Sequence, residues 1–198
     1  MMREVIVATG NAGKMKEISE IFADCAIKLL SLRDVFAQIP YIAETGSTFL
    51  ENARIKAQWV FSATGRAALA DDSGLEVDAL GGEPGVYSAR YAGENAGDAG
   101  NNQKLLCRLQ AIEMARRTAR FRCAVVLCAG SVEYAAQGCC EGKIGFEPAG
   151  DGGFGYDPLF YPSGCSMTFA QLDVESKHAI SHRGRALRAL KEKMYDWL

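Results

Sequence analysis

The 198-residue sequence lacks several features that would assign it to a particular class of protein. It has no apolar run long enough for a signal peptide or a membrane span, so neither is predicted and a membrane is not an expected partner. Its net charge is −2, which leaves no broad basic surface for a nucleic-acid backbone, so no nucleic-acid partner is expected. The cytoplasm is the expected compartment.

Histidine is scarce and cysteine is irregularly placed. The sequence contains two histidines, and its seven cysteines include no C-x-x-C pair, so a zinc site is not predicted. An odd number of cysteines at irregular spacing also fits a disulfide framework poorly. The favoured interpretation is that reduced thiols serve as small hydrophobic core residues, as free cysteines commonly do.

The chain also lacks a long linker, a low-complexity tract and an internal repeat, and 48% of its residues are apolar. This predicts a single domain over residues 1–198, built as two lobes. Strands alternate with helices early, and the middle of the chain is rich in strands. The pattern predicts an α/β fold with a mixed, strongly twisted sheet, flanking helices and a central cleft between the lobes.

Hydrophobic periodicity and capping residues predict the individual elements. Thr48 and Glu51 form a capping-box pattern at the start of a long helix, and Gly65 follows its end. The Gly- and Ala-rich region 81–100 is predicted mainly as loop. Predicted strands are 5–8, 27–30, 67–70, 119–130, 132–140 and 143–146. Predicted helices are 14–22, 48–63, 101–116 and a last one, capped by Ser181, that reaches residue 197.

A lysine-bearing glycine turn lies between the first predicted strand and helix. Its residues are Thr9, Gly10, Asn11, Ala12, Gly13 and Lys14. Backbone N–H groups at a helix start favour anions, and Lys14 adds a point charge, so a phosphate site is one interpretation. The segment is not a P-loop, because its glycine spacing is too short and Met15 stands where Ser or Thr would hold magnesium. An ordinary strand-to-helix turn is the alternative.

Paired acids follow the predicted strand 67–70. A carboxylate of Asp71 or Asp72 at a strand end can hold Mg²⁺, orient water or remove its proton. Adjacent strand residues face opposite ways, so one of the pair is expected to enter the cleft fully. The alternative is a simple Asp-Asp-Ser-Gly turn. The functional interpretation is favoured because further charged residues, Glu44, Glu51 and Lys56, accompany the acid pair.

Two further segments near the carboxyl end carry groups suited to a flat base. The loop 152–158 displays Phe154 among glycines, which suggests stacking, and Asp157 can accept a hydrogen bond from a ring N–H. The alternative is a tight loop whose Phe154 fills the core.

Ser181 is a common N-cap that would leave His182 and Arg183 exposed. However, an arginine is disfavoured at the positive end of a helix. The second interpretation is therefore that Arg183 binds an acceptor oxygen of a ligand. His178 is predicted to be a solvated loop residue.

These segments together favour a nucleotide hydrolase, and the chain resembles the inosine triphosphate pyrophosphatase family. The matching motifs are 9–14, 44–53 with Lys56 and Ala57, 71–74, 84–91, 152–160, and Lys177 with 180–184. The resemblance implies a two-lobed α/β fold, a homodimer, Mg²⁺ dependence, and hydrolysis of dITP, ITP and XTP to the monophosphate and pyrophosphate.

The resemblance also implies roles for individual residues. Asp72 would be the catalytic base and a metal ligand. The second metal ligand would be Glu44, although many relatives have two acids before Thr45 and this chain has Ala43 before Glu44. The implied substrate-binding residues are Thr9, Gly10, Asn11, Ala12, Gly13, Lys14, Lys56, Ser73, Phe154, Gly155, Tyr156, Asp157, Lys177, His182 and Arg183.

Selectivity would follow from donors meeting the keto oxygen of a deaminated purine. Adenine presents an amino donor at that position, so donors on His182 and Arg183 would face a donor when ATP enters. Two other classes of protein remain open. A non-catalytic purine-nucleotide-binding module is disfavoured by the acid pair, because carboxylates repel phosphates unless a metal intervenes. A kinase-like phosphotransferase is disfavoured by the missing P-loop Ser or Thr.

Overall fold

The computed structural model describes residues 2–198 and contains a six-stranded sheet in the order β2-β1-β3-β4-β5-β6. The strands are β1 Arg3–Val7, β2 Ile27–Ser31, β3 Ala67–Val77, β4 Thr118–Ala129, β5 Val132–Ile144 and β6 Phe160–Pro162. The helices are α1 Ala12–Ile21, α2 Leu32–Val35, α3 Phe49–Thr64, α4 Gly97–Arg108, α5 Val174–Ile180 and α6 His182–Lys193. Strand β1 runs parallel to β2 and β3, whereas β5 and β6 are antiparallel. The predicted α/β fold with a mixed sheet and flanking helices is confirmed.

Elements with local sequence signals lie close to their predicted positions. Helix α3 begins with the expected capping box, in which Thr48 Oγ1 accepts from the Glu51 N–H at 3.2 Å and Glu51 Oε2 accepts from the Thr48 N–H at 3.1 Å. Gly65 ends it in the left-handed conformation, with φ of 66°. In α6, the residues predicted to face inward are all buried. They are Ala186, Leu187 and Leu190, followed by Met194 just beyond the helix.

Other element predictions are wrong. Strand β3 does not end at residue 70 but continues to Val77, because buried Leu75 and Val77 extend its apolar pattern. Helix α4 begins inside the region predicted as loop and ends at Arg108 rather than at residue 116. Strand β5 takes in most of the predicted strand 143–146. Helices α2 and α5 and strand β6 were not predicted, and His178 lies half-buried in α5 rather than in a solvated loop.

The chain divides into two compact units, each with its own apolar core. The first unit comprises the residues up to Asp72, Cys123–Gly138 and Arg183–Leu198. Its core includes Val5, Val7, Ile18, Leu69, Val125, Leu127, Leu187 and Leu190. The second unit comprises Ser73–Arg122 and Cys139–His182. Its core includes Leu75, Val77, Leu105, Leu109, Ile144, Tyr156, Leu159, Phe160 and Phe169. The predicted cleft and the single-domain assignment stay predictions.

Cysteine is used partly as predicted. Cys123 lies in the first core and Cys140 in the second, both as free thiols, whereas Cys107 is exposed. Burial raises the pKa of Cys123 to about 12, so its thiol stays protonated.

Across residues 2–198, no helix combines the length and the hydrophobicity that crossing a bilayer requires.

The buried side chain of Arg117 donates hydrogen bonds to backbone carbonyl groups that follow the end of α4, and this contact leads to a prediction about stability. Arg117 donates to the carbonyl oxygens of Leu109 at 2.7 Å, Ile112 at 2.9 Å and Gly145 at 2.7 Å. Arg117→Met should lower the free energy of unfolding by about 3 kcal/mol, because three carbonyls lose their donor. Urea denaturation measures the loss, with the exposed neighbour Arg116→Met as the control. Equal stability of the two variants would contradict the prediction.

Candidate active site

The glycine turn connects β1 to α1, as predicted. Thr9 Oγ1 accepts from the Asn11 N–H at 3.2 Å, and Asn11 Oδ1 caps α1 by accepting from the Lys14 N–H at 3.0 Å. Gly10, Asn11 and Ala12 are exposed, so backbone groups at the start of α1 are accessible to a ligand. A Cβ on Gly10 would meet only Ile39, at 3.9 Å, so local space does not by itself require glycine there.

Asp71 lies inside β3 and is held by two cations of the first unit. Lys14 Nζ lies 3.0 Å and Arg183 Nε 3.1 Å from Asp71 Oδ2. Burial alone would raise the pKa of Asp71, but Lys14, Arg183 and Lys56 together hold that pKa well below its usual range. Asp71 is therefore ionised, and its charge holds Lys14 at the start of α1.

Asp72 contacts a different set of groups, as expected for the next residue along a strand. Its Oδ1 lies 3.2 Å from Lys56 Nζ, and its Oδ2 accepts from Asn52 Nδ2 at 3.2 Å. Burial raises the pKa of Asp72, and the charges of Glu44 and Asp71 add to the rise against the opposing effect of Lys56. A carboxylate with a raised pKa and a fixed orientation has the properties of a general base.

Glu44 shares Lys56 with Asp72. Lys56 Nζ lies 2.7 Å from Glu44 Oε1, so two carboxylates converge on one ammonium group. Burial would lower the pKa of Lys56, but Asp72, Asp71 and Glu44 raise it, so the ammonium stays charged. We call Lys14, Glu44, Lys56, Asp71 and Asp72 the phosphate patch.

Two polar residues of the first unit, Asn52 and Glu17, contact the predicted site residues although they were not themselves predicted. Asn52 orients Asp72 and accepts the Gly46 N–H at 2.8 Å through its own Oδ1. Its signal is its place four residues before Lys56, on the same face of α3. Glu17 is buried and pairs with Arg183, and its signal is its place three residues after Lys14 in α1. Neither signal distinguishes these residues from ordinary polar positions of an exposed helix face.

The aromatic loop belongs to the second unit. The side chain of Phe154 is partly exposed, and Lys177 Nζ lies 5.0 Å from the centre of its ring. Asp157 Oδ2 accepts from the Phe154 N–H at 2.9 Å and pairs with Lys177 Nζ at 2.8 Å. The ring that fills the core is Tyr156, whose hydroxyl donates to the Ser88 carbonyl at 2.8 Å. The alternative in which Phe154 fills the core is therefore wrong.

His182 and Arg183 are both buried, so the interpretation that leaves them exposed in the first turn of a helix is also wrong. The His182 ring stacks on Phe121 with centroids 4.6 Å apart and planes 11° apart. Arg183 instead belongs to the first unit, where it pairs with Asp71 and Glu17. Ser73 is half-buried within β3. We call Phe154, Asp157, Lys177 and His182 the base patch.

Similarity to known proteins covers almost the whole chain. Residues 5–193 match the model of the Ham1 family. The chain is 52% identical over 194 residues to the dITP/XTP pyrophosphatase of Geobacter sulfurreducens, covering 98% of this chain and 97% of that protein. The structure of the Staphylococcus aureus Ham1 protein is 38% identical, with a TM-score of 0.87 over 99% of this chain and 100% of that chain.

A HAM1 protein from Coxiella burnetii gives a second structural match of the same kind. It is 44% identical, with a TM-score of 0.88 over 98% of this chain and 100% of that chain. Matches of this identity and coverage confirm the resemblance that the motifs indicated. The chain belongs to the Ham1 family.

Proposed function

We propose that this protein hydrolyses dITP, ITP and XTP to the nucleoside monophosphate and pyrophosphate, and so clears deaminated purines from the nucleotide pool. Full-length similarity to a dITP/XTP pyrophosphatase supports this class of hydrolase. The observation that carries the proposal is the position of Asp72, a buried carboxylate with a raised pKa that shares Lys56 with Glu44. That arrangement suits a base beside a highly charged substrate.

The residues of the phosphate patch fit a magnesium ion. No group of three or more His, Cys, Asp or Glu side chains that could hold a metal occurs among residues 2–198, so the protein supplies few ligands. Mg²⁺ commonly takes one or two carboxylates and completes its shell with water and substrate phosphates. Glu44 and Asp72, which already converge on one cation, would hold it. When bound, it would supply positive charge to the phosphate oxygens.

The side chains of the protein perform the remaining steps. Asp72, oriented by Asn52, accepts a proton from the water that attacks the α-phosphorus. The N–H groups at the start of α1 and the ammonium groups of Lys14 and Lys56 neutralise the charge that develops on the leaving pyrophosphate. Asp71 keeps Lys14 in place and, with two cations on its Oδ2 and a pKa held well below its usual range, takes no proton in this scheme.

The base patch supplies purine recognition. Phe154 stacks on the base, which is worth about 1–3 kcal/mol for any base, so discrimination requires polar groups. His182 donates to the purine O6, and rejection of adenine by about 10⁴-fold is within reach of a site built on such hydrogen bonds. Arg183 was predicted to donate there too, but its buried guanidinium neutralises Asp71 and Glu17. Ser73 completes the proposed substrate contacts, whereas Gly155 and Tyr156 support the loop through their contacts with α4 and with the core.

A glycine in the aromatic loop offers a test of the base patch. A Cβ on Gly153 would lie 2.1 Å from Asp157 Oδ2, and φ at this residue is +72°. Gly153→Ala should therefore displace Asp157 and raise KM for ITP by about tenfold or more. Gly164→Ala is the matched control, because Gly164 also has a positive φ, +80°, but a Cβ added there would meet no atom within 4 Å. An unchanged KM in Gly153→Ala would contradict the assignment of this loop.

We further propose a homodimer in the cytoplasm. Buried free thiols such as Cys123 suit a reducing compartment. Exposed aromatic side chains, among them Tyr41 at 90% exposure and Tyr195 at 79%, offer apolar area for a subunit contact. Sedimentation velocity of the purified chain tests the dimer, and a monomer at micromolar concentration would contradict it.

One assay tests the proposed activity. The protein is incubated with Mg²⁺ and each of ITP, dITP, XTP, GTP and ATP, and pyrophosphate is measured against orthophosphate. Pyrophosphate from ITP, dITP and XTP, with little product from ATP, is the expected result. Orthophosphate would indicate a different phosphatase or a phosphotransferase, and the absence of any product would favour a non-catalytic binding module.

A further inference from the structure

The peptide groups of Gly155 are held by two side chains of α4. Asp98 Oδ2 accepts from the Gly155 N–H at 2.7 Å, and Asn102 Nδ2 donates to the Gly155 carbonyl at 3.0 Å. Both side chains belong to the second unit, as the loop does. They lie four residues apart and so occupy the same face of α4. Both polar groups of one loop residue are therefore fixed by one helix.

Gly155 lies between the two loop residues that are proposed to meet the base, Phe154 and Asp157. Its φ is +62°, in the left-handed region, and no atom lies within 4 Å of the position of a Cβ. Packing of a side chain therefore does not fix this residue, and its conformation depends on its hydrogen bonds. Phe154 precedes it and Asp157 lies two residues after it, so a rotation at Gly155 moves the stacking ring relative to the carboxylate.

Asn102 carries a feature that stability alone does not explain. Its Oδ1 is buried and accepts no hydrogen bond within residues 2–198. A buried acceptor without a partner costs stability, and an apolar side chain at this position would avoid that cost. What Asn102 contributes in return is the hydrogen bond from its Nδ2 to Gly155.

We infer that Asp98 and Asn102 are positioning residues for purine recognition, which hold Gly155 so that Phe154 and Asp157 meet the base in one fixed geometry. The inference rests on the proposed function and deepens it. Neither side chain touches the substrate. Their effect is on the affinity for the base and on the choice between bases, because the phosphate patch does not depend on them.

Kinetics of Asp98→Ala and Asn102→Ala test the inference. Each variant should raise KM for ITP by about tenfold, with kcat within about threefold of the parent, and should lower the ITP-to-ATP ratio of kcat/KM. Asp98→Asn, which keeps an acceptor oxygen, should restore most of the loss, whereas Asn102→Asp, which removes the donor, should not. The control is Gln103→Ala on an exposed part of α4. Unchanged KM and selectivity in folded Asp98→Ala and Asn102→Ala would overturn the inference.

A binding measurement separates this inference from the proposed function. Calorimetric titration with inosine monophosphate needs no turnover, and Asp98→Ala and Asn102→Ala should weaken binding by about tenfold. If the parent protein releases no pyrophosphate from ITP but the variants lose affinity for the monophosphate, the proposed function fails and the positioning role stands. If the parent is active and the affinities of the variants match it, the positioning role fails alone.

Discussion

Asp72→Asn is expected to lower kcat for ITP by about 10²–10⁴-fold while leaving nucleotide affinity largely intact. The asparagine is isosteric and can keep its contact with Asn52 or Lys56, but it cannot accept the proton of the attacking water. Because the pKa of Asp72 is raised in the folded protein, ionisation of this carboxyl costs more there than in the unfolded chain, so removal of the charge should not destabilise the fold.

Steady-state kinetics and urea denaturation of the same preparation separate the two effects. Asp24→Asn is the matched control, because Asp24 lies in the same unit and pairs on the surface with Lys191. The predicted pattern is an inactive Asp72→Asn protein with the parent's stability and affinity, beside an active Asp24→Asn protein. Retained turnover in Asp72→Asn would remove Asp72 from the mechanism.

Arg183→Met is expected to lower the free energy of unfolding by about 3–5 kcal/mol. Arg183 is 2% exposed, and its guanidinium neutralises both Asp71 and Glu17, which are buried as well. Its removal leaves two buried carboxylates without their shared cation, and desolvated charges of this kind are costly. Lys14 would then be the remaining cation on Asp71 Oδ2, so its position beside the proposed phosphate site should change too.

Urea denaturation measures the loss of stability, with Arg185→Met on the exposed face of α6 as the control. Combining Arg183→Met with Glu17→Leu should recover part of the stability, because the second change removes one of the uncompensated charges. If Arg183→Met is as stable as Arg185→Met and only its selectivity between ITP and ATP changes, Arg183 acts on the base and the buried network has little weight.

The parts of the fold that sequence predicts well are those whose causes are local. Helix α3 is the clearest case, because the capping box of Thr48 and Glu51 and the left-handed Gly65 all lie within or next to the element they define. The inward face of α6 is a second case, since Leu187 and Leu190 follow the helical period directly. Family membership was predictable for a related reason, because short motifs in a fixed order need no three-dimensional information.

The continuation of strand β3 beyond residue 70 could not be predicted, because its cause is distant in the chain. Two acids inside a buried strand are unfavourable unless cations meet them, and the cations come from α1, α3 and α6. The same segment therefore reads as a turn when its partners are unknown. The residues alone left open which of the two acids is the candidate base, and only the resemblance implied Asp72, because the opposite pKa shifts of Asp71 and Asp72 arise from surroundings that the sequence does not show.

The aromatic loop shows a similar limit. Its sequence offers two rings, and only packing determines that Tyr156 enters the core while Phe154 stays partly exposed beside Lys177. The hydrogen bonds between α4 and Gly155 could not be predicted from the sequence. The start of that helix lies in a stretch rich in Gly and Ala, which by itself favours a loop. Composition describes such a segment poorly when tertiary contacts determine its structure.

Hydrolysis of ITP in ¹⁸O-labelled water tests the central claim most directly. If water activated by Asp72 attacks the α-phosphorus, the label appears in inosine monophosphate and pyrophosphate stays unlabelled. Mass spectrometry of the two products after a single turnover makes the assignment. Label in pyrophosphate, or release of orthophosphate in its place, would contradict the account.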